Sequence, residues 1–361
     1  AFTSSVLQAH PFDFARKVST LDHISRGRVA WNIVTTHLEN AARNFGQDQL
    51  TPHDERYAWA AEYVDVVYKL WEGSWDEGAL LIDRARGVFA DHEKIHKIHH
   101  VGPRYRVEGP HLSAPSPQRT PLLFQAGSSG AGRQFAASHA EGQFIVTPNP
   151  TVAAELIRDT RRLAVATGRR AEDIKFFQGL SFIIGSTEAE VRHKEAEYDA
   201  YASVDGFLAH HNYAVDRYGK PYPADTPLAA IQSEASQSIL DWYAKSSPGT
   251  EPTVADLGRL ASRRGRVAGT PEQIADQLEL WQQAGVDGIN VINWHLPGSY
   301  EEFNEHLLPV LQQRGLAKRE YRPGTLRQKL FGSDRINERH PAARYRGAFT
   351  PKTETRNVEF A

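Results

Sequence analysis

Apolar and polar positions along this chain follow two patterns. Short runs that are apolar on both sides read as buried strands, and apolar residues recurring every third or fourth position read as helices packed on them. Residues 29–35 (VAWNIVT), 121–125 (PLLFQ), 142–147 (GQFIVT), 174–185 and 286–294 (VDGINVINW) are of the first kind. Residues 1–6 (AFTSSV) read as the end of another strand. Residues 11–24 are of the second kind, with Phe14, Val18, Leu21 and Ile24 on one face, and residues 54–71 point Tyr57, Ala61, Val64, Val67, Tyr68 and Trp71 inward. Further helices are predicted over 133–139, 152–167, 187–202, 270–284 and 299–313. Their ends carry local signals: Ser186-Thr187-Glu188-Ala189-Glu190 and Thr270-Pro271-Glu272 open helices, and Gly168, Gly285 and Gly315 close them.

Strand and helix therefore alternate, which means a parallel α/β fold. Strand ends fall near Ser4, Thr35, Gln125, Thr147, Gly185 and Asn293. Six such units do not close an eight-stranded barrel, so the pattern alone leaves a doubly wound sheet beside a barrel. Two stretches break the alternation, at about 75–117 and 204–268, and read as insertions. In the first, residues 105–107 are expected to pair with 97–99 as a hairpin. Beyond Tyr321 the chain is polar and Arg-rich, a tail expected to wrap over a neighbour or over the outside of the fold.

Composition narrows the classes. The 361 residues are 40% hydrophobic and 24% charged with a formal net charge of −2, so no general electrostatic case exists for nucleic acid or an anionic membrane. With no run of 18 apolar residues and no signal-peptide pattern, the expected location is cytoplasmic. Cysteine is absent, which removes disulfides, thiolate nucleophiles and Cys-based metal sites. His96, His99 and His100 lie near Asp91 and Glu93, but Gly102-Pro103 beside them favours polar strand and turn residues over a metal site. No initiator methionine opens the sequence, and an N-terminal part is expected upstream of it.

The stretch that carries chemistry is 121–137, PLLFQAGSSGAGRQFAA. A buried strand runs into a turn of Gly, Ser and Ala only, and a helix starts at once. Small residues let backbone N–H groups approach an anion, and the helix N-terminus adds partial positive charge. Ser128 and Ser129 add hydroxyls, and Arg133 either adds a full charge or faces solvent. The plain alternative is a βα loop that uses glycine for its permissive dihedrals.

The segments RVAWNIVTTH, NFG, HDERY, YKLWEGSW, PSPQRTP and QAGSSGAGRQFAA, with PGSYEEF, PVLQQRG and HPAARYR later, resemble the bacterial luciferase-like flavin-dependent monooxygenases. More narrowly, the chain is similar to the group of nitrilotriacetate, dibenzothiophene sulfone, long-chain alkane and dimethyl-sulfide monooxygenases. The resemblance runs from Pro11 to about Tyr345. It implies one TIM-type (β/α)8 barrel domain over 1–361, N-terminally incomplete, with the first two βα units absent from this chain. It further implies reduced FMN delivered by a separate flavin reductase, O2 and a small organic substrate, in a homo-oligomer (dimer or tetramer) with no nucleic acid, membrane or metal.

Residue by residue, Asn32 matches the asparagine beneath the flavin and His37 a histidine that faces flavin and substrate. There it would position the reacting flavin or move a proton; its plain alternative is a surface histidine at a strand end. Tyr57 in HDERY matches a tyrosine whose hydroxyl reaches the FMN phosphate. Gly127, Ser128, Ser129 and Gly130 match the phosphate turn, with Ser129 as the hydroxyl contact. His210 matches a histidine of the second insertion, which would act as a lid over the substrate. His295 follows the last strand, in the right topology for a pocket residue. Two other functions stay open at this point: a flavin or deazaflavin F420-dependent oxidoreductase, and a truncated, non-catalytic flavin-binding homologue.

Overall fold

The computed structural model describes the chain apart from residues 37–38, 202, 204, 207, 209–219, 232–250, 258–262 and 352–361. Two compact units emerge. The first comprises Ala1–Thr35, Glu55–Phe124 and the stretch from Pro323 onward, and the second Thr36–Asp54 and Gln125–Arg322.

In the first unit, strands β1 (Phe2–Ser5) and β2 (Ala30–Val34) run parallel, with Thr3 opposite Asn32. Helix α1 (Pro11–Ser25) connects them, with Pro at its first turn and Arg26 in the left-handed conformation at its end. It buries Phe14, Ala15 and Val18. Phe14 lies 4.5 Å from the Trp31 ring and 5.7 Å from the Tyr63 ring. Each fully buried side chain of this size contributes about 1.5–3 kcal/mol. The polar end of α1 is also inside. Asp22 accepts from Gln118 through backbone N–H (3.0 Å) and Nε2 (2.7 Å).

Following helix α2 (Glu39–Asn44), helix α3 (His53–Tyr68) ends in a π-helical turn, Lys69–Gly73. Its inward face is Arg56, Ala60, Tyr63, Val64 and Val67; Ala61 is exposed and Tyr57 half-buried. Val64, Val67, Tyr68 and Trp71 are buried as expected, while Tyr57 and Ala61 are not, and Tyr63 fills the aromatic cluster. Two short hairpins follow: β3 (Leu80–Asp83) with β4 (Val88–Ala90), and β5 (His100–Val101) with β6 (Arg106–Val107). The second lies where a hairpin was expected, but Arg106–Val107 pair with His100–Val101 and not with 97–99, and Ile98 N–H reaches Glu108 C=O at 2.8 Å. The tail packs back onto its own unit. Arg327, only 1% exposed, donates to Pro121 C=O at 2.9 Å and to Asp334 C=O at 3.1 Å.

Along the chain, strand β7 (Leu122–Gln125) passes from the first unit into the second after Phe124. There β8 (Gly142–Ile145), β9 (Lys175–Ile184) and β11 (Gly288–Ile292) are parallel, and β10 (Arg266–Gly269) pairs parallel with Ser181–Ile184 of β9. The expectation placed residues 266–268 in an insertion. Four residues are too short to show a strand period, and the neighbour β9 supplies the pairing. Helices α4 (Gly130–His139), α5 (Pro150–Ala166), α6 (Glu188–Ala200) and α7 (Pro271–Gln283) cover these strands. Ile157, Phe176, Leu180, Ile274, Leu278 and Trp281 form part of their common core. The cap signals hold: Thr187 Oγ1 accepts from Glu190 N–H, and Thr270 and Gln273 cap reciprocally. Among the described residues, no helix is long and apolar enough to cross a membrane.

Candidate flavin phosphate site

Strand β7 stops at Gln125 and α4 starts at Gly130, so four residues make the turn. Ser129 is the N-cap of α4 (φ −65°, ψ 167°), and its Oγ accepts from Gly132 N–H at 3.1 Å. Ser128 and Gly130 are exposed. A Cβ built on Gly130 would meet no heavy atom within 4 Å, so there is room above the first turn. Of the N–H groups that open the ten-residue helix, Gly132 N–H is capped by Ser129.

His53 joins this turn and was not singled out by the sequence reading. Its Nε2 lies 3.2 Å from Ser129 Oγ, and its Nδ1 lies 2.8 Å from Asp54 Oδ1. A carboxylate only accepts, so Nδ1 carries the proton, and in the neutral ring Nε2 accepts from the Ser129 hydroxyl. The signal for His53 was its place opening HDERY, four residues before Tyr57. Its partner is 76 residues away, and no local pattern shows that.

Arg133 is engaged sideways. Its Nε lies 3.4 Å from Asp159 on α5, which also pairs with Arg162 at 2.6 Å. Asn32, in the first unit, is buried; its Nδ2 donates to Thr3 Oγ1 at 3.1 Å, and its Oδ1 has no partner among the described residues. Tyr57 is half-buried on the second turn of α3. His37 and His210 lie outside the described residues. His295 is exposed, with Nδ1 3.4 Å from Tyr198 Oη.

The histidines near residue 96 are used in pairs. His96 Nε2 meets Asp76 at 2.8 Å, and His100 lies between Lys69 Nζ (2.9 Å) and Glu62 (3.4 Å). Among the described residues, no group of three or more His, Asp or Glu side chains is arranged to hold a metal.

A small-residue, serine-capped turn between a parallel strand and a helix is a geometry that can take a phosphate group. The family model described as luciferase-like monooxygenase matches residues 2–288, and the chain belongs to that family. These are flavin-dependent, oxygen-using enzymes on a TIM-type barrel. The chain is 42% identical over 357 residues to dimethyl-sulfide monooxygenase of Hyphomicrobium sulfonivorans, covering 97% of this chain and 74% of the relative. The crystal structure of that organism's enzyme superposes with a TM-score of 0.85, covering 99% of this chain and 78% of the other. Long-chain alkane monooxygenase of Geobacillus thermodenitrificans is 39% identical over 354 residues, 96% of this chain and 76% of the relative. A riboflavin lyase crystallised with modified FMN and riboflavin is 38% identical with a TM-score of 0.85, over 95% of this chain and 77% of its own.

Proposed function

We propose that this chain is the oxygenase component of a two-component system. It takes reduced FMN from a separate flavin reductase and uses O2 to oxygenate a small organic substrate. The single observation that carries the reading is the Ser129-capped turn after β7, with an open first helical turn above it. The residues present fit FMN. Ser128, Ser129 and the N–H groups near Gly130 hold the phosphate, while Gly127 sets the turn. His53 orients the Ser129 hydroxyl, and Tyr57 adds its own hydroxyl. We assign Asn32, whose buried Oδ1 has no partner among the described residues, to the flavin ring. When bound, reduced FMN supplies the electrons that activate O2. His37 positions the reacting edge or moves a proton there, and His210 closes over the substrate from the second insertion. We place the enzyme in the cytoplasm as a single-domain homo-oligomer.

The direct test supplies reduced FMN, isotopically labelled O2 and, as trial substrates, dimethyl sulfide and a long-chain alkane. Labelled oxygen in a product is expected. Turnover with reduced F420 in the absence of O2 would overturn the reading. His37→Ala should leave reduced FMN affinity unchanged and cut oxygenation by roughly 10²–10⁴-fold, with oxygen diverted to hydrogen peroxide. Full coupling in that variant would remove His37 from the chemistry.

A further inference from the structure

The turn opened by Ser129 is held from behind by two glutamines. Gln125, the last residue of β7, accepts Gly127 N–H through Oε1 at 2.7 Å. Gln143, the second residue of β8, donates from Nε2 to Gly127 C=O at 3.0 Å. Both side chains are buried. Gly127 thus has both backbone groups committed, and the N–H groups left to face a ligand are those that follow it.

A neighbouring turn shows how a glutamine looks when its task is structural. Gln178 on β9 accepts from Thr147 N–H (3.1 Å) and Oγ1–H (2.9 Å). It donates to Thr147 C=O (3.1 Å) and Gly179 C=O (3.0 Å). All four of its hydrogen-bonding positions are used. Gln143 is different. Only its NH2 can face the Gly127 carbonyl, so the amide orientation is fixed. Its Oε1 is then left buried with no partner among the described residues. An unpaired buried acceptor is destabilising, and an apolar side chain of similar size would suit the core better. Fold stability alone does not explain glutamine at this position.

We propose that Gln125 and Gln143 are positioning residues for the phosphate turn. Holding Gly127 by both its N–H and its C=O fixes the direction of the backbone donors from Ser128 to Ala131 before the ligand arrives. Preorganised donors bind more tightly because less ordering remains to be done on binding. The inference rests on the reading that this turn takes the FMN phosphate.

The test is anaerobic titration of reduced FMN and of reduced riboflavin, which carries the same ring without the phosphate, into wild type, Gln143→Leu and Gln125→Leu. Thermal unfolding of each is measured alongside. Gln143→Leu should weaken FMN by roughly tenfold, the worth of one hydrogen bond. Riboflavin affinity should stay within about twofold, and Tm should change little, because the lost bond to the half-exposed Gly127 carbonyl is offset by removal of the buried Oε1. Gln125→Leu should shift FMN in the same direction and serves if the other variant does not fold. Equal losses for both ligands, or FMN affinity unchanged in both variants, would overturn the proposal. Wild type binding the two ligands equally would instead refute the phosphate reading itself.

Discussion

Two polar regions of this molecule are built in opposite ways. In the first unit, the fully buried Glu72 carboxylate spends every lone pair. Oε1 accepts from Thr120 N–H (3.3 Å) and Oγ1–H (2.6 Å), and Oε2 accepts from Arg335 (3.0 Å) and Arg346 (2.9 Å). Burial alone would push its pKa up, but the two guanidiniums outweigh that and hold it below the ordinary carboxylate value. The turn around Ser129 in the second unit is neutral instead. Its capping serine sits beside exposed small residues, and one bracing glutamine keeps an unused oxygen. Polar groups that are fully spent hold the chain together. Donors left unspent at a helix start are available to a ligand.

That contrast breaks most readily at Glu72. Glu72→Ala removes the buried acceptor that Thr120, Arg335 and Arg346 share, while Arg335 keeps Glu77 and Arg346 keeps Glu338, and should cost about 3–5 kcal/mol of stability, read by urea denaturation. Loss of less than 1 kcal/mol would mean that the cluster is not holding the tail.

The next effect is one of pH. His111 is buried, with Nε2 2.9 Å from Ser19 Oγ. Burial, helped by the charges of Arg16 and His23, pulls its pKa down to about 4. The folded ring is therefore neutral, while the unfolded chain takes up a proton near the ordinary value of 6.5. Its contribution is complete above that value and is lost as pH falls from 6.5 towards 4, on the order of 3 kcal/mol. Urea midpoints at pH 7 and pH 4.5 should diverge in wild type and draw together in His111→Leu. An unchanged gap would remove His111 as the cause.

The smallest effect sharpens the other side. Arg133→Gln should change reduced FMN affinity by less than about threefold, because its charge is already half of a part-exposed ion pair with Asp159. A loss above tenfold in a binding titration would make Arg133 a phosphate ligand.

Much of this was legible in the chain. The strand–turn–helix at 121–137 has a local cause at each step, and the capping residues Thr187 and Thr270 sit where sequence patterns put them, while α4 starts at Gly130, three residues before the helix expected at 133. What was hidden depends on distant partners. Strand β10 exists because β9 offers four residues to pair with. His53 and Gln143 reach the turn across long separations in sequence. Arg327, in a tail that reads as solvated, is buried because backbone carbonyls of Gln118, Pro121 and Asp334 converge on its guanidinium. Charge in a sequence shows that partners are needed, not where they come from.

The central claim is that the Ser129 turn takes the FMN phosphate, and the most direct measurement is reduced FMN affinity in wild type against Ser129→Ala. A hydrogen bond to a charged group is worth about 1.5–3 kcal/mol, so affinity should fall by roughly ten- to a hundredfold. Stability should fall only by the about 1 kcal/mol of a lost helix cap. Unchanged affinity in a folded Ser129→Ala protein would contradict the account.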